Sequence, residues 1–345
     1  MKKLICGLLA LALAVGALGG CSNKDSEQSS SPEVSSTAPA EKKEQEPYRI
    51  GVLQYQEYAP MDEAREAFIS RLDEWGLDDG EMEIDYQNAG GSSEKAEEIC
   101  EKFVANKADV IVAISSPAAK AAVKAADTSS TKVVFLGVRD VKAELGLENP
   151  AAPEGNVTGV EEPTSALALL ELAQRVNPAL SSVGLFYDPS CPYGTAFVEE
   201  FRTCCAQLEL TLVEGQVTAS SEAAARMTEL CAQADAVFTP VDSTVAAAAK
   251  DAAKAAADGG KPWYASTQDI VRQGALACVG MDYVEAGKHA ADMAVQLAAG
   301  RKAADLPVYS FGNGQISVNQ EVMTALSAEI PEEVLSTAIY CQPQA

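Results

Sequence analysis

Two short polar segments, each following an apolar run, hold the residues best suited to bind a small charged ligand. Ser115-Ser116-Pro117 precedes an Ala-rich helical pattern, and Ser before Pro is a typical helix start. A hydroxyl and free backbone N–H groups at such a start suit a carboxylate. Asp242-Ser243-Thr244 follows a later apolar run, where Asp242 either caps a helix or binds an ammonium group. Together the two segments predict a site for a zwitterion such as an amino acid.

Aromatic residues accompany these segments. Six of the ten tyrosines lie at or just beyond predicted strand ends, namely Tyr55, Tyr58, Tyr187, Tyr193, Tyr264 and Tyr283. Trp263 joins them. Aromatic walls with a few polar groups are typical of small-ligand sites. Each ring alone fits a core or a rim equally well, but as a set they favour an apolar or aromatic ligand.

Residues for catalysis are scarce. The chain has a single histidine, His289, which argues against a Ser–His–Asp triad and most His-based metal sites. No G-x-S-x-G, H-E-x-x-H or P-loop motif is present. Carboxylate pairs such as Asp78-Asp79 and Glu161-Glu162 lie in polar turns, where we expect them to be solvated. We therefore predict no catalytic residue, no metal and no cofactor.

Charge and cysteine content restrict the partners. The net charge is −24, with 26 Lys and Arg against 50 Asp and Glu, which argues against nucleic acid as a partner. Seven of the nine cysteines lie beyond residue 21, and none forms a C-x-x-C motif. An odd number cannot pair completely. We expect most of them to be small core residues, and one disulfide is left open.

The first 47 residues are expected to lie outside the folded body. Residues 1–20 begin with Lys2 and Lys3 and continue as an apolar run ending in small residues, which indicates a secretory signal. The stretch Leu18-Gly19-Gly20-Cys21 resembles the lipobox of bacterial lipoproteins, and this implies cleavage before Cys21 and lipidation of its thiol. Residues 21–47 are rich in Ser, Glu, Lys and Pro, as in a solvated tether.

The remaining sequence predicts an α/β fold, because short apolar runs alternate with helical patterns. Predicted strands lie at 48–55, 82–89, 108–115 and 131–138, with helices at 61–76, 93–107 and 117–127. The pattern repeats at 181–210, 234–258 and 259–271. We therefore predict two similar Rossmann-like lobes with parallel sheets joined by a hinge. Ligands bind such sheets beyond the carboxyl ends of the strands.

The chain is expected to cross between the lobes more than once. We assign residues 48–160 and about 285–315 to an N-terminal lobe, and 161–284 and about 316–345 to a C-terminal lobe. The segment 155–160, GNVTGV, is interpreted as a crossover. The tail is predicted to contain a helix at 284–299, a strand at 306–311 and a helix near 319–328.

Several stretches resemble one family of proteins. They are GVLQYQEYAPMDEAREAF, YQNAGGS, ADVIVAISSPAA, GNVTGV, PVDSTV and GALACVGMDYVEAG, and they are similar to the tryptophan/tyrosine-type substrate-binding proteins of ABC importers. The resemblance covers about 48–335. It implies a type I periplasmic-binding-protein fold that closes around an amino acid and delivers it to an ABC permease with its ATPase. We expect a monomer, held to the outer face of the cell membrane through lipidated Cys21.

The resemblance also implies ligand contacts from the loops after the strands, where the first loop corresponds to Gln54, Tyr55, Glu57 and Tyr58. The resulting set of ligand-binding residues is Gln54, Tyr55, Tyr58, Ser115, Ser116, Ala118, Arg139, Asp140, Asp188, Ser190, Asp242, Ser243, Thr244, Thr267, Asp282 and Tyr283.

The chain departs from the family pattern at two places near the expected cleft. Val138-Arg139-Asp140-Val141 stands where the family has a small residue and Asp-Pro, and Asp188-Pro189-Ser190 replaces Asn-Pro-Ser. Arg139 either supplies part of a carboxylate site or points to solvent. Two other functions stay open at this point. One is a ligand sensor that signals to a membrane receptor, and the other is an extracellular enzyme using carboxylate pairs.

Overall fold

The computed structural model describes residues 47–75, 82–162, 165–191, 193–312 and 314–342. The predicted signal peptide, nearly all of the predicted tether, Cys21 and the pair Asp78-Asp79 lie outside these residues. Within the described part of the chain, no helix is long and apolar enough to cross a membrane.

The first stretch of the chain alternates strands and helices, as the sequence predicts for residues 48–138. Its elements are β1 (Tyr48–Gln54), α1 (Ala59–Glu74), β2 (Met82–Asn88), α2 (Ser93–Ala105), β3 (Val110–Ile114), α3 (Ser116–Ala126), β4 (Lys132–Val138), α4 (Val141–Leu145) and β5 (Val157–Glu161).

The second stretch repeats the plan. Its elements are α5 (Ala166–Val176), β6 (Ser182–Tyr187), α6 (Thr195–Gln207), β7 (Thr211–Gln216), α7 (Ala223–Cys231), β8 (Ala236–Thr239), α8 (Ser243–Ala247), α9 (Ala249–Asp258), β9 (Trp263–Ala265), α10 (Gln268–Arg272) and β10 (Ala277–Gly280). α5, β7, α7 and β10 were not predicted. β7 is largely exposed and lacks the continuous apolar run that marks the buried strands.

The tail returns to both sheets. Its elements are α11 (Tyr283–Ala298), β11 (Tyr309–Ser310), β12 (Gln315–Asn319), α12 (Gln320–Ala325), α13 (Glu332–Leu335) and β13 (Ile339–Cys341). β11 is shorter than the strand predicted at 306–311, and α12 is shorter than the helix predicted at 319–328.

Two sheets confirm the predicted α/β architecture of two lobes. The first sheet has the order β11-β5-β4-β3-β1-β2, and the second has the order β13-β12-β10-β9-β8-β6-β7. All neighbours pair in parallel except β10 and β12. The strand order reverses between β1 and β3 in the first sheet, and between β6 and β8 in the second. Ligand sites of open α/β sheets lie at such reversals.

The sequence analysis interpreted the segment 155–160 as a crossover between the lobes, and this interpretation is wrong. The segment leads into β5 of the first sheet. β5 pairs with β4, and Val157 and Val160 are buried. A side chain at Gly159 would put its Cβ 2.1 Å from the carbonyl oxygen of Phe135, so the absence of a side chain lets β5 lie against β4. The chain leaves the first sheet only after Glu161.

Each lobe has its own apolar core. One cluster fills the first lobe, and two others lie around the second sheet. Cys191, Tyr193 and Val241, which follow strands of the second sheet, belong to the cluster of the first lobe. α1 and α11 pack closely, because Gly287 lets the backbone of α11 approach Ala64. All seven cysteines beyond residue 21 are buried and free.

Candidate functional site

The loops at the carboxyl ends of the two sheets meet in a closed cleft. The rings of Tyr58, before α1, and Tyr193, after β6, stack with centroids 6.0 Å apart and planes 12° apart. Gln56 Nε2 donates a hydrogen bond to Ser243 Oγ at 3.4 Å. Arg272 of α10 also forms an ion pair with Glu63 of α1. Each of these contacts joins one lobe to the other, so the structure is that of a closed state.

Buried polar atoms without partners are concentrated in this cleft. These hydroxyl, carboxyl and amide atoms are shielded from water and have no hydrogen-bond partner within the described chain. Burial of an unpaired polar group is unfavourable, so each such group calls for an occupant. The cleft atoms of this kind are Tyr58 Oη, Ser115 Oγ, Tyr193 Oη, Thr267 Oγ1, Asp269 Oδ1 and Gln268 Nε2.

Ser115 differs from the predicted helix cap. Its side chain makes no capping hydrogen bond, and α3 begins at Ser116. Its backbone has φ of 89° and ψ of 159°, a region that is essentially confined to glycine. This conformation lets its N–H donate to Leu136 O in β4 and leaves the buried hydroxyl of Ser115 without a partner. The hydroxyl is therefore available to a ligand.

The matching residue of the second lobe is fully used by the protein. Asp242 is buried, and its two carboxylate oxygens accept the N–H groups of Asp188 at 2.6 Å and Val245 at 2.9 Å. Burial raises the pKa of Asp242, and these N–H groups oppose that effect. Of the two roles left open by the sequence, Asp242 takes that of the helix cap.

Asp188 supports the same arrangement. One of its oxygens accepts bonds from the N–H and hydroxyl of Ser190, and the other accepts the Thr244 hydroxyl at 2.7 Å. These bonds join the loop after β6 to the loop after β8. They make Asp188, Ser190 and Thr244 a scaffold for the second-lobe side of the cleft.

On the first-lobe side, Glu162 is buried, which corrects the expectation that the pair Glu161-Glu162 is solvated. The hydroxyl of Tyr283 donates to Glu162 Oε1 at 2.7 Å, and Arg139 Nε lies 4.0 Å from Glu162 Oε2. Burial raises the pKa of Glu162, and Arg139 and Tyr283 oppose that effect. The Arg139 side chain is only 12% exposed. It therefore faces Glu162 and does not point freely to solvent.

Most other predicted site residues have structural partners. Tyr55 donates its hydroxyl to Gly91 O at 2.6 Å, and Gln54 Nε2 donates to Gln56 O and to Asp62. Ser116 donates to Glu144, and Ala118 is buried at the start of α3. Two aspartates cap helices, Asp140 for α4 and Asp282 for α11.

Asp269 is the main residue of the candidate site that the sequence analysis missed. It lies in the first turn of α10, is 3% exposed, and leaves Oδ1 without a partner. Burial raises the pKa of Asp269, and the Thr267 hydroxyl opposes that effect. Burial raises the pKa of Tyr58 well above 10, and the Asp269 carboxylate adds to that increase. Tyr58 and Asp269 are therefore neighbours. A carboxylate two residues beyond Thr267 was the available signal.

A separate cavity of about 460 Å³ lies at the opposite, amino edge of the first sheet. Arg49 and Glu83 line it and pair with each other at 3.4 Å. Both side chains are exposed to a large degree, and the unpartnered buried groups described above lie elsewhere. Across the described residues, no group of three or more His, Cys, Asp or Glu side chains is placed to hold a metal ion.

Comparisons with known proteins agree on one family. The family model for ABC transporter substrate binding proteins matches residues 49–341. The tyrosine-binding protein of Clostridioides difficile strain R20291 is 30% identical over 330 residues, covering 95% of this chain and 93% of that protein.

Two solved structures are similar in both sequence and fold. An ABC domain from Streptococcus pneumonia in complex with L-Trp is 30% identical, with a TM-score of 0.73, and the match covers 86% of this chain and 99% of that one. A ligand-free, open substrate-binding protein with adhesive properties from Clostridium difficile is 29% identical. Its TM-score is 0.68, and the match covers 86% and 100% of the two chains.

Proposed function

Because this chain belongs to the family of ABC transporter substrate-binding proteins, we propose that it is the extracytoplasmic solute-binding lipoprotein of an ABC importer. It captures an amino acid with an aromatic or apolar side chain between its lobes and delivers it to the permease. The lobes open to admit the ligand and close to bury it. The protein makes and breaks no covalent bond in this role.

One observation carries this proposal: the closed cleft buries polar groups that have no partner in the protein. Ser115 and Tyr193 contribute hydroxyls from opposite lobes, and the Ser115 backbone is held in a strained conformation. Strain and unpaired burial are unfavourable in an empty protein, and they are concentrated where a ligand would relieve the unpaired burial. A site that is completed by its ligand is what a binding protein requires.

The choice of an amino acid rests on the relatives together with the groups in the cleft. One relative is named for tyrosine and a similar structure holds L-Trp. Hydroxyls, carboxylates and one guanidinium suit the two charged ends of an amino acid, and the tyrosine rings of the cleft suit an apolar or aromatic side chain. Arg139 stands in one segment that departs from the family pattern, and Tyr193 follows the other, Asp188-Pro189-Ser190, so we expect both to tune which side chain is preferred.

The membrane attachment is proposed from the N-terminal sequence. Lipidated Cys21 would hold the tether of residues 21–47 at the outer face of the membrane, and the two-lobed body would work as a monomer. Loss of Lys2 and Lys3 with the signal makes the mature net charge −26. Labelling of the expressed protein with a fatty-acid probe, with Cys21→Ser as control, tests this part separately.

Binding is tested by thermal unfolding of the purified protein with each amino acid in turn. A ligand at 100 times its dissociation constant adds about 2.7 kcal/mol of stability, which is a clear rise in melting temperature. We expect L-Trp, L-Tyr or L-Phe to give the largest rise. If none of the twenty amino acids raises the melting temperature, the amino-acid assignment is wrong.

A further inference from the structure

Three of the unpartnered oxygens lie near one another between the two lobes. Tyr58 Oη belongs to the first lobe, whereas Thr267 Oγ1 and Asp269 Oδ1 belong to the second. The three residues are 6%, 1% and 3% exposed, in that order. The Thr267 hydroxyl is close enough to act on the pKa of both other groups. The cluster is thus shared between the lobes and exists only when they are closed.

These atoms are complementary to one kind of group. A carboxylate oxygen and two hydroxyl oxygens are three hydrogen-bond acceptors, and a primary ammonium group has three N–H donors. Hydrogen bonds from a charged donor to a carboxylate are among the strongest in proteins. A ligand ammonium would satisfy all three atoms at once.

The surrounding charges favour a cation at the same place. The carboxylates of Asp242 and Glu162 also act on Tyr58, and both raise its pKa. Of the two nearby guanidinium groups, Arg139 pairs with Glu162 and Arg272 pairs with Glu63, although Arg272 also lowers the pKa of Asp269. The centre of the cleft therefore carries an excess of negative charge in a buried setting, where electrostatic attraction is strong.

We propose that Asp269, Thr267 and Tyr58 form the subsite for the ligand's ammonium group, and that Asp269 selects ligands that carry one. The inference rests on the proposed binding function and adds which residue recognises which end of the ligand. It moves the ammonium contact from Asp242, whose oxygens are both occupied by backbone N–H groups, to Asp269. It also makes lobe closure part of the recognition, since Tyr58 completes the subsite only from the opposite lobe.

The first test needs no variant. Isothermal titration of the wild-type protein compares L-Trp, L-Tyr and L-Phe with tryptamine and tyramine, which keep the amine, and with indole-3-propionate and 3-(4-hydroxyphenyl)propionate, which lack it. We expect removal of the amine to weaken binding by about 30-fold or more, the range for losing one partner of a buried charge pair. A propionate that binds as tightly as its parent amino acid overturns the subsite.

The second test assigns the effect to Asp269. We expect Asp269→Asn to lower the affinity for the amino acid by about 30-fold or more. The affinity for the propionate analogue should stay within about threefold of the wild-type value. Asp251→Asn is the matched control, because Asp251 also lies in the first turn of a second-lobe helix but is exposed. Thr267→Val removes a neutral acceptor and should have a smaller effect in the same direction.

The outcomes separate this inference from the proposed function. If amino acids bind and Asp269→Asn retains their affinity, the ammonium subsite is wrong and the binding function stands. If amines bind but no amino acid does, the subsite stands and the amino-acid assignment falls. If no amine-bearing probe binds the wild-type protein, both are wrong. If Asp269→Asn has a melting temperature far below that of the wild type, its affinity cannot be interpreted. The wild-type comparison of analogues and the affinity of Thr267→Val then test the subsite.

Discussion

The loops that follow β3 and β8 occupy matching positions in the two lobes, and each begins a helix beside the cleft. Asp242, after β8, has extended backbone and gives both carboxylate oxygens to backbone N–H groups. Ser115, after β3, has left-handed backbone and leaves its hydroxyl unpartnered. The same place in the fold is therefore structural in one lobe and available for binding in the other. The difference lies in how many hydrogen-bond partners the protein itself supplies to each side chain.

The largest expected effect comes from removing the occupied side chain. Asp242→Ala deletes a helix cap and leaves the buried N–H of Asp188 unpaired. Together these should lower the free energy of unfolding by about 2–4 kcal/mol. Urea unfolding of the ligand-free protein measures this. Ser115→Ala is the control. Its unfolding free energy should stay within about 0.5 kcal/mol of the wild-type value, while its affinity for the ligand should fall. Equal destabilisation by the two variants would remove the contrast between the loops.

The backbone strain at Ser115 gives a second, smaller effect of opposite sign. Ser115→Gly relieves a conformation that costs a non-glycine residue about 1–3 kcal/mol, less the entropy that glycine adds to the unfolded chain. We expect a net gain of about 1 kcal/mol in unfolding free energy. Ser116→Gly, one residue later and inside α3, should instead lose about 0.5–1 kcal/mol. A loss of stability in Ser115→Gly would contradict the strain.

The residues that precede β3 and β8, at the amino ends of these strands, also differ between the lobes. We expect this difference to have the smallest effect on stability. Before β3, Asp109 accepts one hydrogen bond, from the N–H of Arg49, whereas before β8 Asp235 accepts four, from Ser181 and Ser182. Although burial acts the other way, these bonds lower the pKa of Asp235 from 3.8 to about 2. The stabilisation is present above pH 4 and is lost as the pH falls toward 2, because the folded state binds the proton less readily.

Asp235→Asn should therefore reduce the melting temperature at pH 6 and have no further effect near pH 2. Because the group is only partly buried and solvent screens its interactions, the loss should stay below about 1 kcal/mol. Melting curves between pH 2 and pH 6 measure it, with Asp109→Asn as the control for a carboxylate that accepts one bond. A loss that does not shrink toward low pH would show that the serine contacts act by packing and not by charge.

The fold was largely predictable because its signals are local. The apolar runs of β3 and β4 and the helical pattern before residue 127 are each visible within a few residues. The repeat of these patterns indicates two lobes. Several elements of the second lobe and the tail, among them α5, β7 and α7, were not predicted. The segment 155–160 was misinterpreted, because its role in β5 depends on how closely Gly159 approaches Phe135.

The site was predictable only in position. The sequence points to the loops after the strands, and the cleft is formed there, but it cannot tell Asp242 from Asp269. Whether Asp242 is free depends on the N–H of Asp188, which lies 54 residues away. Whether Glu162 is buried depends on Tyr283, 121 residues away. Such distances in sequence are bridged only by the tertiary fold.

The cross-lobe contacts also set a limit on how quickly a bound molecule can leave. Tyr58, Tyr193 and Asp269 are shielded from water, so a ligand held against them has no exit while the lobes are together. Its residence time cannot be shorter than the time the lobes take to part, whatever the strength of its own contacts. The ion pair between Arg272 and Glu63 joins the two lobes. Removing this ion pair should therefore speed the opening of the lobes and shorten the residence time of the ligand.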